Sequence, residues 1–113
     1  MILEELNHIL SELEISVESG IFSDVAPNQY CVLTPLSDDF ELFANNQPTI
    51  DVQEVRISFF SKGNYLKVKK QIIQNLLKAD LTITSRLFLG FEQETNYYHV
   101  AIDVAKHYEM EEE

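Results

Sequence analysis

The spacing of the apolar residues alternates between a helical and a strand-like period along this sequence, and this order restricts the fold more than any other feature. Residues 2–13 carry apolar side chains three or four positions apart, the spacing of an amphipathic helix. The same spacing returns in residues 65–79 or 65–80. Residues 50–60, 81–91 and 97–107 instead alternate with a period of two, which predicts strands.

In the two strongest strands the alternation also separates a core face from an outer face. Successive side chains of a strand point to opposite sides of a sheet, so every second residue shares one face. Val55, Ile57 and Phe59 share one face of the first strand, and Tyr98, Val100, Ile102 and Val104 form the predicted core face of the second.

Two shorter segments also have strand character. Ile15 and Val17 alternate with polar residues, which predicts a short edge strand. Residues 30–34 are rich in β-forming side chains, and we expect this strand to stop at Pro35 because proline cannot donate to a sheet ladder. Residues 37–47 mix turn formers with large apolar side chains, which either tuck under the core or contact another chain.

The order of these elements predicts an α+β domain in which a mostly antiparallel sheet of four to five strands packs against two helices. With 113 residues the chain is too short for two well-buried cores, so we expect a single domain over residues 1–113 with a frayed acidic end, residues 109–113. A short polar turn joins the last two strands, which must therefore be antiparallel. The step from residues 50–60 through the second helix to 81–91 could be a right-handed parallel crossover, which would make the sheet mixed.

The chain is strongly acidic, and its few cations are concentrated on one element. Eight Lys and Arg residues stand against 19 Asp and Glu residues, a net charge of −11, the opposite of the basic surface that binds phosphate backbones. Five of the eight cations are Lys62, Lys67, Lys69, Lys70 and Lys78, in or next to the second predicted helix. This basic helix is either a solvated outer face or a docking surface for an acidic patch on a neighbouring copy or partner.

No group of residues has the spacing of a catalytic or cofactor site. Three glycines cannot build a glycine-rich phosphate cradle, and Cys31 lies inside an apolar strand where its thiol would stay neutral. His99 and His107 are about 26 Å apart on an extended strand, too far for one metal ion. The acidic residues of 38–41 could bind a hard cation, but Asx turns explain the same residues without a ligand. We therefore predict no enzyme activity, no cofactor and no metal site.

The ends of the sequence and its longest apolar runs bear on location. The first residues include Glu4 and Glu5, where a secretory signal would carry cations. No apolar run approaches the roughly 20 residues that a membrane helix needs. We expect a soluble protein that is intracellular at synthesis.

A series of segments extends over residues 30–108, about two-thirds of the chain. It consists of residues 30–34, Ser-Asp-Asp-Phe at 37–40, Phe-Ala-Asn-Asn at 43–46, Val-Arg-Ile-Ser-Phe-Phe-Ser-Lys at 55–62, an amphipathic helix, and a closing strand opened by Tyr-Tyr-His-Val at 97–100. In content and order the series resembles the small tail-completion, or tail-terminator, proteins of long-tailed (siphovirus-type) bacteriophages and prophages. Residues 87–91 depart from the acidic-aromatic character associated with that family at this place.

The resemblance implies a structural protein of virion assembly with a tail-terminator-like fold. Such a protein caps the tail tube as a ring, commonly a hexamer, and offers a docking face to the head-connector or stopper protein. The resemblance further implies a place in the virion tail or neck after assembly in the bacterial cytoplasm, and a lumen that DNA crosses without specific binding. A head-completion or neck adaptor and a cytosolic acidic protein-binding module are the alternatives.

Two groups of residues are the candidates for contacts with other copies. One is an arm that reaches the adjacent copy, and the other is the polar face of the second helix. The residues are Phe40, Leu42 and Phe43 in the arm and Lys67, Lys69 and Lys70 on the helix.

Overall fold

Two helices form where the apolar spacing predicts them, and each turns its apolar stripe inward. The side chain of Asn64 caps the second helix by accepting a hydrogen bond from the backbone N–H of Lys67 at 3.4 Å. The predicted ends agree with the observed ones to within two residues. The buried residues are Ile2, Leu6, Ile9 and Leu10 in α1 (Ile2–Glu12) and Ile72 and Leu76 in α2 (Tyr65–Lys78).

The computed structural model describes residues 1–18, 26–44 and 47–109, and within 37–49 it describes the backbone alone. The strands are β1 (Ser16–Val17), β2 (Gln29–Ala44), β3 (Gln47–Ser61), β4 (Thr82–Glu92) and β5 (Tyr97–Glu109). Two helices and one five-stranded, mostly antiparallel sheet confirm the α+β fold class. Glu109 ends β5, and the remainder of the acidic end lies outside the described residues.

The strands lie in the order β1-β2-β3-β5-β4. β1 pairs in parallel with β2, and the other three pairs are antiparallel. The sheet is therefore mixed, but not through the crossover that the sequence suggested. β3 and β4 run in the same direction without pairing, because β5 lies between them and hydrogen-bonds to both.

The prediction that the second strand stops at Pro35 is wrong. Pro35 pairs opposite Val55, and β2 continues beyond it as half of a long hairpin with β3. Among the described residues, β1 covers β2 only at Tyr30 and Cys31, and a proline is tolerated where the outer side of a strand is unpaired. The register also shifts between Pro35 and Ser37, a bulge of the kind that accommodates proline in a sheet.

The turn predicted for Asp38 and Asp39 is also absent. Both residues lie in β2, opposite Gln53 and Val52 of β3. Pairing with a long neighbouring strand outweighs the local turn preference, because strand propensity depends strongly on tertiary context. The side chains of Phe40, Leu42 and Phe43 lie outside the described part of the chain, so their role stays a prediction.

The core lies between the two helices and one face of the sheet. Cys31 is fully buried there, and burial raises the pKa of its thiol to about 12, which confirms the expected neutral cysteine. The predicted core face of β5 is confirmed for Val100, Ile102 and Val104, whereas Tyr98 is only half-buried. The strand residues that are at most 1% exposed are Val55, Ile57, Phe59, Val100, Ile102 and Val104.

The long strands make the molecule elongated. Its extents are 54 × 29 × 24 Å and its radius of gyration is 15.9 Å, against about 13 Å for a globular chain of this length. β2 and β3, at 16 and 15 residues, are longer than either helix can cover. Two extended sheet edges result, one at β4 and one along the outer side of β2.

Candidate interaction surface

β4 is an exposed edge strand with an apolar sequence. It pairs with β5 on one side and is the last strand of the sheet, so its outer backbone groups face away from the sheet. Leu87, Phe88, Leu89 and Phe91 are 44%, 54%, 50% and 45% exposed. The run from Leu87 to Phe91 carries no charge and no proline, the features with which natural proteins usually block such an edge, so it can pair with another chain.

Two irregularities in the β4–β5 ladder spread these side chains over both faces. The register shifts between Ile83 and Ser85 and again between Phe88 and Gly90. Gly90 has a φ of +126°, which side-chain-bearing residues rarely adopt. The strict alternation of a strand is therefore broken at Leu89. Phe88 and Phe91, three positions apart, both contact rings on the helix side of the sheet, those of Tyr65 and Tyr98.

Helix α2 extends the apolar surface on the helix side. Leu66 and Leu77 are 62% and 56% exposed. The ring of Tyr65 stacks on Phe88 with centroids 5.6 Å apart, and also on Tyr98 at 4.7 Å. Phe88 is thus held in position by ring contacts while about half of its surface stays open. We call Leu66, Leu77, Leu87, Phe88, Leu89 and Phe91 the β4 surface.

Cations flank the β4 surface. A shallow groove between α2 and β4 is lined by Lys69, Lys70 and Arg86 together with Leu66 and Ile73. The three cations have no ion-pair partner within 4.0 Å among the described residues, so they are available to an acidic partner.

The two cations away from this region are already paired. Arg56 binds Asp103 through two hydrogen bonds of 2.8 and 3.0 Å, and these bonds raise the pKa of the guanidinium. Lys106 lies 2.7 Å from a carboxylate oxygen of Glu5. Six of the eight cations in the sequence therefore lie on α2, next to it or on β4: Lys62, Lys67, Lys69, Lys70, Lys78 and Arg86.

Helix stability does not explain where the lysines of α2 lie. Lys67 is in the first turn of the helix, and Lys69 and Lys70 follow it after Val68, while no acidic residue occupies that turn. The N-terminal end of a helix carries partial positive charge and is destabilised by nearby cations, by roughly 0.3–1 kcal/mol each. Binding to a partner explains the positions of these lysines, whereas helix formation does not.

The two groups of predicted contact residues lie apart in the fold. Lys69 and Lys70 line the groove beside β4, and Lys67 is exposed on the same helix. Phe40 and Phe43 occupy β2 positions opposite Asp51 and Pro48. Because β3 and β5 separate β2 from β4, the arm and the basic helix lie at opposite edges of the sheet.

The apolar part of the surface was not predicted from the sequence. The pattern of residues 81–91 predicts a strand but does not indicate which side of that strand is covered. The available signal was the uncharged run from Leu87 to Phe91, which lacks the alternation of a half-buried strand. Only the strand order shows that this run lies at an edge.

The sheet face opposite the helices carries a second group of side chains, which is packed against itself. His99 stacks on Phe60 with ring centroids 4.1 Å apart, and Tyr30 stacks on the other side of Phe60 at 4.8 Å. The hydroxyl of Tyr97 donates to the carbonyl oxygen of Pro27. Burial lowers the pKa of His99. This cluster joins β2, β3 and β5.

Comparison with protein-family models and with curated proteins finds no match to this chain. In the described ranges, no three His, Cys, Asp or Glu side chains meet in a way that could hold a metal ion. Neither helix combines the length and apolar character needed to cross a membrane, within the part of the chain that the structure describes.

Proposed function

We propose that this chain is a non-enzymatic assembly protein of the tail-terminator type. It covers the end of a phage tail tube and thereby stops tube growth, and it presents a new face to the head connector. The observation that carries the proposal is the β4 surface, an apolar sheet edge on a protein with a net charge of −11, flanked by cations that have no ion-pair partner in the described part of the chain. The resemblance of residues 30–108 to tail-terminator proteins supplies the particular assembly.

The physical requirement for a cap is a strong contact that does not repeat the tube's own surface. A growing end recruits subunits until a different protein covers its pairing surface. The β4 surface supplies both components of such a contact. Its edge offers backbone hydrogen bonds, and its exposed apolar side chains supply burial worth about 25 cal/mol per Å² of area removed from water.

The charge distribution fits a protein beside a DNA channel. Outside the α2–β4 region the acids dominate, and DNA carries one negative charge per roughly 1.7 Å of its axis. Like charges repel over about one Debye length, roughly 10 Å at moderate salt. DNA would therefore pass such a surface without adhering to it.

The experiment is to assemble particles of the encoding phage or prophage without this protein and to image them by electron microscopy. We expect over-long tails, or heads and tails that fail to join. Rescue by Phe88→Glu should fail because a charge enters the apolar edge. Leu3→Glu, which changes an apolar residue of α1 that is 40% exposed, should rescue.

Tails of normal length joined to heads in the absence of the protein would refute the proposal. Tails of normal length with detached heads would replace the terminator role with that of a neck adaptor. Rescue by Phe88→Glu as complete as by the native chain would show that the β4 surface is not the contact.

A further inference from the structure

We infer that the β4 edge of one copy pairs with the outer edge of β2, residues 37–44, of a second copy. The contact is head-to-tail, with different edges meeting. This inference names the partner of the surface on which the proposed function rests, and it makes the copies of an assembled cap share a continuous sheet.

The sheet has two long edges, and within the described ranges neither β4 nor residues 37–44 of β2 has an outer strand partner. β4 presents 11 residues on its outer side. β1 pairs with β2 only at Tyr30 and Cys31, so among the described residues β2 has no outer partner after that point. The run from Ser37 to Ala44 follows the bulge and would span about 26 Å at 3.3 Å per residue, within the length of β4.

The charges at the two edges are opposite. Lys69, Lys70 and Arg86 lie beside β4, whereas β2 contributes three acids, Asp38, Asp39 and Glu41, and no cation between residues 37 and 44. Pairing of unlike edges brings these charges together, and such complementarity selects the partner and the register.

The same charges argue against a two-fold dimer of β4 with β4. In an isologous contact each residue meets the equivalent patch on its partner. Arg86, Lys69 and Lys70 of one copy would then face their own counterparts, a like-charge contact that costs free energy. The electrostatics therefore favour the head-to-tail contact over the symmetric dimer.

The directions of the strands also favour pairing of β4 with β2 of a second copy. β2 and β5 run in one direction, while β3 and β4 run in the other. A second copy placed alongside in the same orientation therefore brings its β2 antiparallel to the first copy's β4. Antiparallel ladders are slightly more stable per residue than parallel ones. Each added copy leaves its own β4 open, so the contact repeats until a ring closes.

The test is disulfide cross-linking between single cysteines. Leu87→Cys marks the β4 edge and Asp39→Cys marks the β2 edge. The native Cys31 is fully buried, so it stays out of the reaction. Thr95→Cys, in the exposed β4–β5 turn, is the matched control. Each variant is oxidised alone and in equal mixtures at a protein concentration high enough for copies to meet.

We expect the mixture of Leu87→Cys and Asp39→Cys to give heterodimers at several times the yield of any mixture with Thr95→Cys. A chain that carries both cysteines should give a ladder of larger oligomers. Cross-linking of Leu87→Cys with itself at a higher yield than with Asp39→Cys would overturn the inference in favour of a two-fold dimer. Yields no higher than those of the control would overturn it outright.

A charge exchange checks the electrostatic part. Lys69→Glu with Lys70→Glu in the Leu87→Cys chain should lower the heterodimer yield. Asp38→Lys in the Asp39→Cys chain should restore it. The expected change is up to about fivefold per exposed pair, shrinking as salt is added. Equal yields in all combinations would contradict the charge argument.

The outcomes separate this inference from the proposed function. If cross-linking fails while Phe88→Glu still prevents rescue of tail length, the β4 surface binds the tube rather than a second copy. That result would support the proposed function and contradict the pairing of β4 with β2. If cross-linking succeeds but tails form normally without the protein, the pairing is supported and the proposed function is contradicted.

Discussion

The contact between Glu5 of α1 and the end of β5 gives a prediction whose size and pH dependence both follow from the geometry. Lys106 lies 2.7 Å from one carboxylate oxygen of Glu5, and the hydroxyl of Tyr108 donates to the other. Burial alone would raise the pKa of Glu5, but the hydrogen bonds from Lys106 and Tyr108 and the positive charge of Lys106 together lower it below its ordinary 4.5. The ionised carboxylate therefore stabilises the folded chain.

Glu5→Gln should lower the free energy of unfolding at neutral pH by about 1 kcal/mol. Hydrogen bonds to charged groups contribute about 1.5–3 kcal/mol when well shielded. The Glu5 and Lys106 side chains are 35% and 23% exposed, so solvent screening reduces that figure. The midpoint of thermal unfolding should fall by about 4 °C.

The pH dependence has a definite sign. Because the folded-state pKa of Glu5 is below its unfolded value, the stabilisation is present above the ordinary pKa of 4.5 and is lost as the pH falls through the folded-state pKa. The difference between the native chain and Glu5→Gln should therefore be largest near neutral pH and shrink in acid.

The measurement is urea unfolding followed by circular dichroism from neutral pH to about pH 3. Glu4→Gln is the matched control, since Glu4 is in the same first turn of α1 but its side chain is 91% exposed. Glu4→Gln removes a carboxylate at the start of the helix, as Glu5→Gln does, but it leaves the contacts of Glu5 with β5 in place. An equal effect of the two substitutions, or a difference that persists unchanged in acid, would refute the reasoning.

Two further predictions concern packing and backbone. Leu76→Ala, at a fully buried position, should lower the free energy of unfolding by about 2–5 kcal/mol. Leu77→Ala, at a neighbouring residue that is 56% exposed, should change it by less than about 0.5 kcal/mol. Similar losses for the two substitutions in denaturant unfolding would contradict the assigned faces of α2. Gly90→Ala should lower the free energy of unfolding by about 1 kcal/mol or more, because the residue has a φ of +126°. Gly63→Ala, with open space at its Cβ position, should lower it less. Denaturant unfolding checks this pair as well, and equal losses would argue against the bulge.

The elements of the fold could be predicted because their signals are local. The stripe that includes Ile72 and Leu76 and the alternation through Val55, Ile57 and Phe59 are periodicities that one segment displays by itself. The buried faces of these elements agree with the patterns, because the core lies on the side that each pattern indicates.

The strand order and the extension of β2 could not be predicted in this way. Whether Pro35 ends a strand depends on whether its outer side is paired, and that is decided by the two-residue length of β1. The position of Leu87 to Phe91 at an edge depends in turn on the insertion of β5 between β3 and β4. Strand order and edge position depend on pairing between segments that are far apart in the sequence, and a local pattern does not encode that pairing.

The central place of β5 also sets the order in which the sheet can be completed. β5 follows β4 along the chain, yet it lies between β4 and β3. Until the ribosome has made β5, a nascent chain has no strand to join β4 to the β2–β3 hairpin, and the edge of β3 that pairs with β5 lacks its partner. Closing this gap brings together residues far apart in sequence, a slow kind of folding step. The sheet therefore forms as a whole only after its last strand has emerged.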